Sequence, residues 1–193
     1  TVHTAVPVSV LSGVVLTVVG LLLSRTFLAW MGTPDDVIGL STIYMQLYFC
    51  GMAPCMLYNF GAAILRAAGD SRSPLIFLSI AGALNVVLNV IFVVFFDMNV
   101  AGVALATTLS QTLSAALVLI ALCRRTDACR FTFRRMKIHK TALWRMVRIG
   151  LPAGLQGSLF SISNVLIQSS INSFGSVAMS GNAASSSIEG FVY

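Results

Sequence analysis

Residues 82–96 read GALNVVLNVIFVVFF, an apolar run in which Asn85 and Asn89 stand four positions apart. That spacing stacks the two amides on one face of a helix. In water-free lipid each amide must find a partner or carry a penalty of several kcal/mol. The stretch is therefore read as a membrane helix with one polar stripe, and the stripe has two possible uses. The amides either hold neighbouring helices together or line a polar cavity that takes a cation or substrate. Gly82, three residues before Asn85, lies on the same face and leaves room for another helix to approach.

The rest of the chain is of the same kind. Of its 193 residues 57% are hydrophobic and 9% charged, and the mean hydropathy is +0.90. Soluble domains carry about 25% charged residues, so the fold class is all-α, a polytopic membrane protein. A span takes roughly 20 apolar residues. The blocks Val6–Met31, Val37–Ala67, Pro74–Phe96, Val100–Cys123 and Trp144–Phe174 predict five helices, and a sixth begins near Val177. Val6–Met31 has neither the basic leader nor the small-residue cleavage site of a signal peptide. The sequence opens on Thr1 rather than Met and stops at Tyr193 within an apolar pattern, so a fragment of a longer protein is expected.

Charge sets the orientation. The connection GTPDD carries Asp35 and Asp36 without a base, and the turn after Phe96 carries only Asp97. RAAGDSRSP holds Arg66 and Arg72, and the segment from Arg124 to Arg148 is dense in Lys and Arg with Asp127 as its one acid. Of the 12 basic residues all but Arg25 fall on one side, which the positive-inside rule makes cytoplasmic. Arg25, near the outer end of the first helix, can snorkel. In GDSRSP, Gly69 is expected to end one helix, Ser71 or Ser73 to cap the next, and Pro74 to sit in its first turn. The organisation that follows is four helices of an N-terminal lobe over 1–123, a basic cytoplasmic linker over 124–143, and the first helices of a C-terminal lobe over 144–193. The linker is suited to anionic lipid heads rather than to nucleic acid.

Other polar groups lie at membrane depth. Thr107, Thr108 and Gln111 fall roughly 10 to 17 Å from the outer surface at 1.5 Å per residue, overlapping Asn85 and Asn89. Thr hydroxyls commonly bond back to their own helix, which is expected of at least one of the two. In GLPAGLQGSLFSISNVLIQSSINSFG, Asn164, Gln168 and Asn172 repeat every four residues, with Gln156 further back. A helix this polar is expected to line a bundle interior or an aqueous path, and Pro152 with its neighbouring glycines makes it easy to bend. Glu189 is the only acid inside an apolar segment, roughly 18 Å deep if its helix starts near Val177.

Several features point away from other functions. The four cysteines form no CxxC pair, Cys50 and Cys55 lie inside a helix, and Cys123 and Cys129 on the cytoplasmic side are expected as thiols. His3 and His139 have no metal-ligand spacing, and Met31, Met45, Met52 and Met56 are expected as packing. There is no phosphate loop, nucleophile elbow or carboxylate pair, so no enzyme is expected.

Three segments together carry a family resemblance: AAILRAAGDSRSPLIFLSIAGALNVVLNVIFV, VAGVALATTLSQTLSA and RIGLPAGLQGSLFSISNVLIQSSINSFG. They resemble the multidrug and toxic compound extrusion (MATE) transporters, in wording nearest the bacterial DinF-like members. The resemblance implies a twelve-helix protein of two six-helix lobes, of which this chain holds helices three to eight. It implies exchange of H⁺ or Na⁺ for organic, often cationic, drugs, with no other cofactor. The expected setting is a monomer in the bacterial cytoplasmic membrane. In the family's first lobe an acid on the first helix joins an Asn and an Asp four apart on the fifth and a Thr on the sixth. Asn85 matches that Asn, Thr107 the Thr, and Asn89 stands where the Asp would be. Phe160 stands where NorM-like members carry a Glu, and Glu189 matches an acid found on the eighth helix of some members. The resemblance therefore offers Asn85, Asn89, Thr107 and Glu189, beside Gln156, Asn164 and Gln168 of the polar stripe, as cation- or substrate-binding residues. A lipid-linked oligosaccharide flippase of the same superfamily and a non-transporting scaffold are the alternatives. The first would be expected to place Lys or Arg at membrane depth, where this sequence has none.

Overall fold

The computed structural model describes residues 2–125, 131, 132 and 137–192. Its elements are α1 (Val2–Trp30), α2 (Asp35–Cys50), α3 (Met52–Ala67), α4 (Arg72–Val90), a π turn (Ile91–Phe95), α5 (Asn99–Arg124), α6 (Lys140–Asn172) and α7 (Ser176–Val192). In the bundle, α5 packs on α2, α3 and α4, and α1 packs on α2 and α3. Helix α6 pairs with α7 and touches the bundle sparingly, through α1. By length and composition α1, α4 with its π turn, and α5 can each cross a bilayer, and α2 with α3 makes a fourth, bent span. Helix α6 is long enough at 33 residues but is not among these spans. Its Ser, Asn and Gln residues dilute the apolar character that the position of the helix had suggested.

The second predicted helix is not continuous: α2 and α3 meet at Gly51 with a bend of 42°. Pro54 has no N–H to donate to the Cys50 carbonyl, and the Gly51 N–H turns instead to Tyr48 O at 3.0 Å. Carbonyls released at such a break cannot be left bare in lipid. The Thr108 hydroxyl of α5 donates to Leu47 O at 3.0 Å, and the Thr17 hydroxyl of α1 donates to Phe49 O at 2.8 Å. The break is thus closed from both flanking helices. Gly20 accommodates it on the α1 side, because a Cβ there would overlap the ring of Phe49.

Small residues bring the helices close. On α5, Gly102, Ala104, Ala106, Ser110, Ser114 and Ala115 are all buried. At the cytoplasmic end Val2, Val6, Tyr58, Ala62, Leu65, Ala115, Val118, Leu122 and Phe131 form the apolar core. Phe131 belongs to the predicted linker, yet its side chain is only 2% exposed and its N–H donates to Leu122 O at 3.0 Å. The linker is also shorter than expected from 124–143, since helix α6 already begins at Lys140. Lys140 to Leu143 contain no helix breaker, so the helix extends toward the basic segment. Cys129 and the basic residues Arg130, Arg134 and Arg135 lie outside the described residues.

The turn between α3 and α4 differs from the expected serine cap. Gly69 ends α3 with φ +85°, the left-handed conformation that glycine adopts freely. The first turn of α4 is capped by Asp70, whose carboxylate accepts from Ser73 N at 3.0 Å and from Ser73 Oγ at 2.7 Å. Arg125, just past α5, stands 3.6 Å from the same carboxylate. The two hydrogen bonds from Ser73, helped by Arg125, hold the Asp70 carboxyl below its ordinary range. Because the folded value is depressed, the cap contributes stability above the unfolded Asp pKa of about 3.9, and that contribution fades as pH falls through the folded value. Thermal melting of Asp70→Asn against the parent should therefore show a gap at neutral pH that narrows below about pH 4. A gap independent of pH would remove Asp70 ionisation from the account.

Candidate functional site

The polar stripe of α4 meets α5. Asn89 Nδ2 donates to Asn85 Oδ1 at 3.0 Å, and Asn85 Nδ2 donates to Thr107 Oγ1 at 3.4 Å. The Thr107 hydroxyl in turn donates to Val103 O of its own helix at 2.9 Å. The chain has a direction, with each N–H or O–H donating toward α5. Its free end is Asn89 Oδ1, which is buried and has no hydrogen-bond partner among the described residues. A bare carbonyl-type oxygen at such a place can accept a proton donor or coordinate a hard cation.

Asn85 and Thr107 also line a cavity of about 260 Å³ with Leu78, Gly82, Ser110 and Gln111 among its walls. Gly82 has no neighbour within 4 Å of where a Cβ would stand, so it borders open space rather than a closely packed helix. The hydroxyls of Ser110 and Ser114 are turned inward to their own helix, on Ala106 O at 2.8 Å and Gln111 O at 2.9 Å. Thr108, besides closing the break at Leu47, donates to Ala104 O at 3.0 Å, so both threonines bond back to α5. Gln111 lines this cavity and also a narrow gap shared with Gly51, Met52 and Thr108. It thereby connects the amide stripe to the helix break.

Beyond Asn89 the ladder widens into the π turn, where Phe96 N donates to Ile91 O at 3.2 Å and Met98 N to Phe92 O at 3.0 Å. One-turn π segments recur at functional sites. Gly102 lets α5 approach this turn, since a Cβ there would stand 2.9 Å from Phe92 Cβ.

The other predicted residues are not in this constellation. Gln156 and Asn164 are exposed on α6, and Glu189 is exposed on α7. Gln168 donates to Asn172 Oδ1 at 2.8 Å, and Asn172 Nδ2 donates to Met31 O at 2.9 Å. These two amides serve a helix contact, away from the cavity. An apolar recess of about 700 Å³ between α1 and α2 was not anticipated, and Met31, Met45, Tyr44, Tyr48 and Phe49 line it. Tyr44 and Tyr48 stack with centroids 6.2 Å apart. Their four-residue spacing in an apolar helix was the available signal.

These elements define a multi-pass helical membrane protein with a cavity between two adjacent spans, lined in part by Asn85, Thr107 and Gln111. The MatE family model matches residues 1–91, and over most of its length the chain is similar to multidrug resistance proteins. It is 36% identical over 166 residues to "Probable multidrug resistance protein YpnP" of Bacillus subtilis (strain 168), a match covering 86% of this chain and 37% of that protein. It is 32% identical over 184 residues to "Probable multidrug resistance protein YoeA" of the same strain, covering 92% and 40%. It is 25% identical over 167 residues to "Multidrug export protein MepA" of Staphylococcus aureus (strain MRSA252), covering 86% and 37%. Among solved structures it is similar to an inward-facing multidrug resistance MATE family transporter of the MOP superfamily. There the TM-score is 0.70 and the identity 25%, over 86% of this chain and 36% of that one. The chain thus spans well under half the length of these relatives.

Proposed function

We propose that the chain forms part of a secondary active transporter in a bacterial cytoplasmic membrane, exporting organic, often cationic, drugs in exchange for H⁺ or Na⁺. The observation that carries this reading is the donor chain from Asn89 through Asn85 to Thr107: Asn85 and Thr107 line a cavity, and the buried Asn89 Oδ1 has no partner among the described residues. Neutral oxygens fixed at membrane depth suit a cation, because nothing else there compensates for keeping them dry. Neither amide titrates. Na⁺ would bind these oxygens directly, whereas H⁺ coupling requires a carboxyl supplied by another helix. The likeness to an inward-facing relative supports alternating access, with this arrangement as the state open toward the cytoplasm. Ion binding then favours one lobe arrangement over the other, and drug and ion compete or alternate by linkage.

The test is ethidium efflux from cells expressing the complete gene product, with an imposed H⁺ or Na⁺ gradient. Efflux that follows one gradient and collapses with it is the expected result. Dye retention equal to empty vector under both gradients would overturn the proposal.

A further inference from the structure

Among the described residues, helix α6 is fastened to α1 at its two ends and exposed between them. At the inner end, the fully buried Thr4 of α1 donates from Oγ1 to Lys137 O at 3.2 Å and accepts from His139 N at 3.3 Å. His139 is the N-cap of α6, so the helix starts immediately beyond this clasp. At the outer end, Asn172 is the last residue of α6 and is only 3% exposed. Its Nδ2 donates to the carbonyl of Met31, just past the last turn of α1, where no helical N–H follows to accept the role. Its Oδ1 accepts from Gln168, which fixes the amide with its N–H toward α1. From Val147 to Ile167 every residue of α6 is exposed. A helix of 33 residues is about 50 Å long at 1.5 Å per residue, so a rotation of 10° about the inner clasp carries the outer end roughly 9 Å.

From this geometry we infer that Asn172 is an outer latch: it holds α6 against the C-terminal carbonyl of α1, and its release lets the outer ends of the two helices part while the Thr4 clasp stays closed. The inference rests on the alternating-access reading, in which the outer ends are together in the inward-open state and apart in the outward-open one. Asn172 is a positioning residue. It touches neither ion nor drug and sets the balance between the two states. Gln168 acts through it by holding the amide in the donating orientation.

The experiment measures distances in the complete gene product, in lipid nanodiscs without substrate or gradient. Spin labels go on Trp30→Cys and Phe174→Cys, both highly exposed at 77% and 79%, with the native cysteines replaced by Ser. The parent should give mainly the short distance. Asn172→Ala should raise the ratio of long to short roughly fivefold, the effect of losing one buried amide–carbonyl hydrogen bond. Gln168→Ala should shift it the same way but less. Asn172→Asp discriminates a latch from generic damage. At pH 8 its carboxylate cannot donate and repels the Met31 carbonyl, so the long distance should grow beyond that of Asn172→Ala. At pH 4 its protonated form donates again, and the distribution should return to that of the parent at the same pH. Distances unchanged in Asn172→Ala, or an Asn172→Asp shift indifferent to pH, would overturn the latch. Ethidium efflux separates the two readings. A shift in distances in a protein that exports no dye leaves the latch standing and removes the drug-export reading, while normal efflux with unmoved distances does the reverse.

Discussion

Gly13→Val should lower the melting temperature of the purified protein by several degrees and reduce its folded yield. A Cβ at Gly13 would stand 2.5 Å from the Cα of Ala53, and a backbone atom cannot rotate aside as a side-chain tip can. Helices α1 and α3 must separate, which loosens their contact along the bundle and moves Thr17 away from the carbonyl of Phe49 that it serves. Overpacking of this kind typically costs about 1–3 kcal/mol before any lost hydrogen bond is added. Gly39→Val is the matched control, since nothing lies within 4 Å of a Cβ at Gly39. Fluorescence-monitored melting of the two variants decides the matter. Equal melting temperatures would mean that the approach of α1 to α3 does not limit stability.

Asn85→Ala should reduce gradient-driven ethidium efflux at least tenfold at equal expression. Asn85 is the middle member of the polar chain: it accepts from Asn89 and donates to Thr107. Removing it leaves the Asn89 amide without its acceptor and takes one amide from the wall of the cavity. Asn89→Ala should have a smaller effect, because Asn85 keeps its bond to Thr107. Thr107→Val should be intermediate, since it strips the acceptor from Asn85 while Asn85 remains free to rotate toward the cavity. Initial efflux rates at matched protein levels rank the three. Transport by Asn85→Ala equal to the parent would take this stripe out of the mechanism.

The meeting of Asn85, Asn89 and Thr107 was legible because it needs only helical spacing, depth and the adjacency of consecutive antiparallel spans. The same arithmetic could not find the role of Asn172. Its partner is a backbone carbonyl 141 residues away, and a carbonyl has no signature in a sequence. The break at Gly51 was written in Gly51 and Pro54, but a window long enough to see a membrane span averages across a single bend. Thr108 shows the converse: as a polar group at depth it looked like a site residue, yet its hydroxyl closes the main chain at Leu47. Asp70 took the capping role expected of Ser71 or Ser73 because a carboxylate three residues before Ser73 can accept from both its N–H and its hydroxyl. Gln156 and Asn164 were grouped with the site by periodicity, which reports a shared helix face but not what stands opposite it.

Phe131 has a bearing on how the molecule is made. It is synthesised after every helix of the bundle it completes, and it fills the space between the cytoplasmic ends of α1, α3 and α5. At roughly 5–20 residues per second, only a fraction of a second to about a second separates the end of α5 at Arg124 from this side chain. The five preceding helices have all been made before that interval, but their inner ends have no stopper until Phe131 follows. Biogenesis of this bundle therefore has a defined final step, and truncation before Phe131 leaves an assembly open at its base.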